Sequence, residues 1–214
     1  MALLYRHAGK LDRCGEILSE LVLRAPDHPP GHYQLGAWEM QQGRLAQAQA
    51  HLARAVELDP FYAEAIHELG VCSRRLGRLD EAEALLRRAL EVSGGAAESY
   101  YVLAQVEYQQ GRGEESLGTL FACVERYPDF HEARIALANF LCLAGRREEA
   151  LAQLEMVLAR APLHLEAQRA RAHVLAELGE LEEARRAWAR LAAQGDAEAA
   201  LRLETFIPSV APGA

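Results

Sequence analysis

The sequence is poor in lysine and in net positive charge. Lys10 is the only lysine among 23 Lys and Arg residues, and 31 Asp and Glu residues give a formal net charge of −8. Proteins that bind nucleic acid usually concentrate basic side chains on one surface to neutralise phosphates. The charge balance therefore argues against nucleic acid as a partner.

Long hydrophobic runs are missing as well. No apolar stretch approaches the roughly 18 residues that a membrane-spanning helix needs, and the apolar start of the chain is too short for a secretory signal peptide. We therefore expect a cytoplasmic protein without membrane insertion. The four cysteines have no C-x-x-C spacing, and we expect them to be small buried side chains in a reducing compartment. They are Cys14, Cys72, Cys123 and Cys142.

The chain does contain a repeat of 34 residues, marked by glycine and proline. The glycines at this spacing are Gly9, Gly43, Gly77, Gly111, Gly145 and Gly179. The prolines are Pro26, Pro60, Pro128 and Pro162, with Gly94 at the remaining position. A fixed period of this size indicates that one supersecondary unit is stacked along the chain.

Each period has the pattern helix, turn, helix, turn. Apolar residues spaced by three or four occur over 31–42 and again over 45–58, which predicts two helices with one buried face each. Gly43 fits the left-handed conformation after a helix end, and Asp59-Pro60 ends the second helix. We call a position that recurs every 34 residues a phase. Two phases are predicted to lie in the core. One carries a large residue (Leu35, Leu69, Leu103, Leu137) and the other a small one (Cys14, Ala48, Ala82, Ser116, Ala150, Ala184).

These residues resemble the tetratricopeptide repeat, through Leu35-Gly36, Ala48, Ala55 and the closing Pro60. The resemblance covers residues 1 to about 206. It implies an all-α fold, a right-handed α-solenoid of stacked antiparallel helix pairs. Its first helices would line a concave groove and its second helices the convex back.

The resulting organisation is a single array with an incomplete start and a capped end. We predict a half repeat over 1–28, repeats over 29–62, 63–96, 97–130, 131–164 and 165–196, a capping helix over 197–206 and a tail over 207–214. Asp196 would begin the capping helix, and Leu201, Leu203 and Phe206 would pack on the last repeat. Tyr5 takes the family's aromatic position in residues 1–8, which supply only half a first helix. Either the chain was cut from a longer protein or its N-terminal repeat is degenerate.

The family's groove is lined by first-helix residues that the core does not use. Transferred by phase, the candidate peptide-binding residues are Tyr33, Gln34, Met40, His67, Arg74, Arg75, Tyr101, Gln105, Tyr108, Asn139, Arg169 and His173. Tyrosine, methionine and arginine are enriched at protein interfaces. Two ligand-binding modes known in the family are excluded. One clamps a C-terminal carboxylate with lysines and two asparagines, and the other uses an asparagine ladder. This sequence has one lysine, Lys10, and one asparagine, Asn139.

No catalytic, cofactor or metal site is predicted. His67 and His173 project toward the groove but lie about three repeats apart, too far to share a metal. Glu64, Glu98, Glu132 and Glu166 are either an acidic strip for a basic ligand or first-turn carboxylates that offset the helix dipole, and the second interpretation is favoured. Trp38 and Trp188 are predicted core residues.

Arg171 stands at the phase of the buried leucines, and Gln168 replaces an aromatic residue. One interpretation is a loosened terminal repeat whose arginine stem packs while its head reaches water. The other is an anion or partner contact built together with Arg169.

The sequence therefore predicts a non-catalytic protein–protein interaction adaptor that binds a segment of a partner protein in its groove. The alternative is the interaction domain of a larger enzyme or of an envelope or secretion assembly factor. Self-association through the ends of the array stays open.

Overall fold

The computed structural model describes residues 11–205. Within this range the chain forms twelve α-helices and no strand, so the all-α prediction is confirmed. The helices are α1 (Leu11–Arg24), α2 (Pro29–Gln41), α3 (Leu45–Leu58), α4 (Ala63–Arg75), α5 (Leu79–Ser93), α6 (Ala97–Gln109), α7 (Gly113–Arg126), α8 (His131–Leu143), α9 (Arg147–Arg160), α10 (Leu165–Glu177), α11 (Leu181–Ala193) and α12 (Ala197–Thr205). The predicted half helix over 1–8 with Tyr5, the predicted packing of Phe206 and the tail over 207–214 lie outside the described residues.

The chain divides into two compact units, with the division between Ser116 and Leu117, inside α7. In the first unit α2 pairs with α3 and α4 with α5, while α1 packs on α2, α3 on α4 and α5 on α6. In the second unit α8 pairs with α9 and α10 with α11, while α9 packs on α10 and α11 on α12. Consecutive packing of this kind lets each repeat bury its apolar face against its neighbours.

The glycine ladder forms the turn inside each helix pair. Gly43 has a φ of 75°. Its N–H donates to the Met40 carbonyl at 3.1 Å, and the N–H of Arg44 donates to the Glu39 carbonyl at 2.9 Å. This pair of hydrogen bonds is the Schellman arrangement, which needs one left-handed residue and so favours glycine. It recurs at Gly77, Gly111, Gly145, Gly179 and Gly195.

The predicted core phases are buried. The leucines of the large phase are all 6% exposed or less, namely Leu35, Leu69, Leu103 and Leu137. Alanine at the small phase is fully buried at Ala48, Ala82, Ala150 and Ala184. Ser116 replaces alanine there, and its hydroxyl donates to the Ala104 carbonyl at 2.7 Å. Three of the cysteines are buried, and Cys142 is half-buried.

Small residues also allow the two helices of a pair to approach each other. A Cβ atom added to Gly36 would lie 2.7 Å from Cγ of Leu52 and 3.1 Å from the Ala48 carbonyl oxygen. At Gly70 the nearest atom would be Cγ of Leu86, at 3.0 Å. The later repeats have alanine at this phase, at Ala104, Ala138 and Ala172. A methyl group at Gly36 would therefore require the paired helix to move, whereas at Gly70 a shift of a few tenths of an ångström by Leu86 would make room for it.

Asp196 begins α12 as predicted, since its carboxylate accepts a hydrogen bond from the Ala199 N–H at 3.0 Å. Ala199 and Leu203 pack on the core of α10 and α11. The prediction for Leu201 was wrong, because its side chain is 61% exposed. On this short helix Ala199 takes the buried position instead.

Several core phases carry buried polar side chains that the apolar pattern did not predict. Glu107 pairs with Arg87 at 3.0 Å, and Arg134 donates to the Gln153 carboxamide at 2.8 Å. Such pairings satisfy groups whose burial would otherwise be costly. These side chains therefore belong to the core of their repeats.

Candidate functional site

A cleft in the first unit brings together residues from successive first helices. Its volume is about 420 Å³. We call it the first-helix cleft, and it is lined by Tyr33 of α2, Ala63, Glu64, His67 and Glu68 of α4, Ser93 of α5, Ala96 of the following turn, and Glu98 and Ser99 of α6. Two of the predicted binding residues, Tyr33 and His67, therefore face one space.

The 34-residue period explains why these two side chains are neighbours. Tyr33 and His67 occupy the same phase of α2 and α4, which the period superimposes in adjacent repeats. The ring of Tyr33 also meets the ring of Tyr62 at 5.2 Å between centroids. Burial raises the pKa of the Tyr33 hydroxyl, and the charge of Glu68 adds to this shift. Tyr33 is thus a neutral aromatic surface with a polar tip at neutral pH.

His67 is held in place by a residue that the phase argument missed. Its Nδ1 lies 2.8 Å from the hydroxyl of Ser99, which is itself buried. Burial lowers the pKa of His67, and the nearby charge of Glu98 opposes that shift. His67 is therefore largely uncharged at neutral pH, and its ring has a defined orientation. Ser99 carried no signal in the sequence, because a single serine in a first turn is common.

The charged residues of the cleft are all acidic. Glu64 and Glu98 lie in the first turns of α4 and α6, as predicted, and both are exposed. Glu68 is half-buried, and burial raises the pKa of its carboxyl group. The first-helix cleft thus combines an aromatic side, a histidine and three carboxylates.

The two arginines of α4 lie outside the lining of this cleft. Arg75 donates to the Met40 carbonyl at 3.0 Å. Arg74 is half-buried, and burial lowers the pKa of its guanidinium while Tyr101 opposes the shift. Its Nε atom is buried with no hydrogen-bond partner among the described residues. Of these two arginines, Arg74 has the less complete set of hydrogen-bond partners.

Met40 does not line a groove. Its side chain is 7% exposed and belongs to a core cluster with Leu52 and Leu69. The prediction that Met40 faces the groove was wrong because the paired helix α3 and the next repeat enclose the end of α2. Of the other predicted residues in this unit, Gln34 and Tyr108 are exposed, whereas Tyr101 and Gln105 are half-buried.

In the second unit the predicted residues differ in their freedom to meet a partner. Asn139 is exposed. Arg169 is hydrogen-bonded to Asp196, whose side chain is 1% exposed, and this contact lowers the pKa of the Asp196 carboxyl. His173 lies 3.5 Å from Glu198 and meets the edge of the Trp188 ring, at 5.8 Å between centroids. Arg169 and His173 thus fasten α12 to α10.

Arg171 and Arg169 do not form one site. Arg171 lies 3.5 Å from Glu155 and 3.8 Å from Glu183, whereas the partner of Arg169 is Asp196. Residues two apart on a helix point to different faces, so the sequence-based proposal of a joint anion contact was wrong.

Two arrangements are absent from residues 11–205, a metal-binding cluster and a membrane-spanning helix. This range contains no group of three or more His, Cys, Asp or Glu side chains arranged to hold a metal ion. Its helices are also too short or too polar to cross a bilayer.

Comparison with known proteins supports the repeat assignment at the level of sequence. Two family models, both described as tetratricopeptide repeat, match the chain. One covers residues 39–93, and the other covers 74–129 and 143–200. The second alone spans more than half of the chain. No curated protein matches the sequence significantly.

Solved structures of similar fold cover nearly the whole chain. PilW, a widely conserved type IV pilus biogenesis factor, matches with a TM-score of 0.82 and 19% identity, covering 95% of this chain and 94% of its own. PilF of Pseudomonas aeruginosa matches with a TM-score of 0.78 and 13% identity, covering 96% and 92%. YrrB, a tetratricopeptide repeat protein with an unusual peptide-binding site, matches with a TM-score of 0.65 and 22% identity, covering 90% and 100%.

At these identities the structural likeness establishes the fold and nothing finer. Together with the family models and the repeated glycine-turn helix pairs, it leads to one conclusion: the chain belongs to the tetratricopeptide repeat family, whose members are generally non-catalytic protein-interaction modules.

Proposed function

We propose that this protein is a non-catalytic adaptor that binds an extended segment of a partner protein along its first helices. The observation that carries the proposal is the first-helix cleft, where side chains of α2, α4 and α6 surround about 420 Å³. A surface to which successive repeats contribute in turn suits an extended chain, because both advance step by step along one direction.

The chemistry of the cleft favours a partner segment with a basic side chain. Tyr33 offers an aromatic face to an alkyl stem or a cation. Glu64, Glu68 and Glu98 place negative charge around the same space. Glu68 is half-buried, so a bound cation would compensate a carboxylate that is partly removed from water. Acidic groups of the partner would instead meet Arg74, whose Nε lacks a hydrogen-bond partner among the described residues.

The test is selection of peptides from a random library on the folded protein, followed by calorimetric titration of the selected peptides. We expect enrichment of sequences with a basic residue next to an apolar one. Tyr33→Ala should weaken binding at least about fivefold, since interface aromatic residues contribute about 1 kcal/mol or more. Glu68→Gln removes the charge at almost constant shape and should weaken basic peptides selectively.

The matched control is Glu91→Gln, which makes the same chemical change at an exposed residue of the second helix α5, outside the cleft lining. Equal weakening by the control and by Glu68→Gln would show that overall charge, and not the cleft, determines affinity. A failure to enrich any sequence would contradict the proposal as a whole. The double variant Tyr101→Ala/Arg74→Glu then asks whether the peptide continues along α4 and α6.

A second candidate function is a role in an envelope or secretion assembly, as the interaction module of a larger system. The observation that favours it is the fold match with PilW, a type IV pilus biogenesis factor, over 95% of this chain and 94% of that one. Cell fractionation of the tagged protein tests this candidate. Exclusive recovery from the cytoplasm would contradict the envelope role and support the predicted location.

A further inference from the structure

A second cavity lies in the second unit between α9, α10 and α11. Its volume is about 370 Å³, within the range of about 300–1,000 Å³ that is typical of small-ligand pockets. We call it the Arg171 cavity, and its lining consists of Leu158, Pro162, Gln168, Arg171, Ala187, Arg190, Leu191 and Gln194.

The cavity lies where this repeat carries a long polar side chain, Arg171, at a core position that is leucine in the earlier repeats. At the phase of Arg171 the other repeats bury a leucine, as at Leu137, which is fully buried. The equivalents of Gln168 vary in chemistry, from the buried Ile66 to the buried Arg134. Arg171 is only half-buried, so the space that a leucine fills in the other repeats is open here. Gln168 also lines the cavity, and its carboxamide donates to the Pro162 carbonyl at 2.5 Å.

The charge of the lining is positive. Both charged residues that line the cavity are arginines. Arg171 is 3.5 Å from Glu155 and 3.8 Å from Glu183, and both carboxylates are exposed. Exposed pairs of this kind contribute little. Arg190 makes no ion pair within residues 11–205. Arg190 is therefore available to an anion, and Arg171 can exchange its weak contacts with the two glutamates for a contact with an anion.

We propose that the Arg171 cavity binds a carboxylate that is attached to an apolar group. A guanidinium donates paired hydrogen bonds to a carboxylate, and Gln194, which also lines the cavity, has a carboxamide that can donate. Leu158, Ala187 and Leu191 form apolar walls for the carbon skeleton. An inorganic anion would leave those walls in contact with water.

Two sources supply this chemistry. One is a small free carboxylic acid, and the other is an acidic side chain next to an apolar residue in a partner protein. The cavity shares no residue with the first-helix cleft. A failure of the present proposal would therefore leave the proposed peptide-binding function untouched, and the reverse also holds.

The test is a titration of the isotope-labelled protein with 3-phenylpropanoate and with its uncharged match, 3-phenylpropanamide, monitored by NMR. We expect saturable shifts of the side-chain amides of Gln168 and Gln194 with the carboxylate. Binding of the amide should be at least about tenfold weaker. The second ligand to be titrated is a tripeptide of leucine, glutamate and phenylalanine whose two ends are chemically blocked. Its binding at higher affinity than the free acid identifies a protein segment as the source, and the reverse order identifies a small molecule.

Three variants make the result specific. Arg190→Ala should weaken the carboxylate at least about fivefold, and because Arg190 is exposed this variant should fold normally. Arg171→Leu should abolish binding by removing the charge and filling the space. Arg186→Ala, at an exposed arginine of α11 outside the lining, should leave binding unchanged. Shifts that do not saturate, equal binding of acid and amide, or full binding by Arg190→Ala would overturn the proposal.

Discussion

Replacing Gly36 with alanine should destabilise the protein, whereas the same change at Gly70 should stabilise it. Both glycines lie in helix interiors, where alanine is favoured over glycine by about 1 kcal/mol. The limited space between the paired helices opposes this gain. An added Cβ at Gly36 would lie 2.7 Å from Cγ of Leu52 and 3.1 Å from a backbone oxygen, whereas at Gly70 the nearest atom lies at 3.0 Å.

The gain in helix propensity and the cost of overpacking are balanced differently at Gly36 and at Gly70. Overpacking costs about 1–3 kcal/mol when neighbours cannot move. At Gly36 a backbone atom takes part in the clash, so we expect the penalty to exceed the helix gain by about 1 kcal/mol. At Gly70 a shift of a few tenths of an ångström by Leu86 relieves the contact. The helix gain should then prevail by about 0.5–1 kcal/mol.

Urea denaturation followed by far-UV circular dichroism measures both changes. For a chain of this length about 1 kcal/mol corresponds to a shift in melting temperature of about 2–4 °C. Ala104→Gly is the converse control and should lose about 1 kcal/mol at the same phase of α6. The reasoning is refuted if Gly36→Ala stabilises the protein as much as Gly70→Ala does, because helix spacing would then not restrict this position.

Three further changes test other parts of the structure. The pKa of His51 is lowered by burial and by the charge of His32, and the Nδ1 atoms of the two rings are 3.2 Å apart. The folded state therefore binds fewer protons than the unfolded chain. Its stability should fall as pH drops below about 6.5. The melting temperature of His51→Gln should depend less on pH across that range. Ser116→Ala removes the buried hydrogen bond to the Ala104 carbonyl and should cost about 1 kcal/mol in urea denaturation, without strain since alanine occupies this phase in other repeats. Arg171→Leu should raise the unfolding free energy by about 1–2 kcal/mol through burial of the new side chain, and an unchanged urea midpoint would show that the terminal repeat cannot close around it.

Sequence reasoning was most successful where backbone chemistry decides the structure. Gly43 and its equivalents end helices because the left-handed conformation is strained for residues with a Cβ atom. The spacing of three or four residues between apolar side chains within each helix predicted which faces are buried, since helical periodicity is a local property. These two features were enough to predict the helix pairs and to indicate the resemblance to the family.

The candidate site was only partly predictable from phase. Tyr33 and His67 lie together because equivalent positions of adjacent repeats are neighbours. Ser99, which holds His67, belongs to a different phase and was missed. Met40 was misplaced because its burial depends on the side chains of the next repeat.

The sequence by itself therefore determined the architecture of the repeat, through its period, its turn glycines and its apolar phases. Only the tertiary structure decided which charged groups are already paired and where space remains. Arg169 is bound by Asp196, 27 residues away in the chain, whereas Arg171, two positions further on, lines a cavity. The physical reason is that turn and helix preferences act over a few residues. Ion pairing and cavity volume depend on distances between side chains of different helices, which no single period specifies.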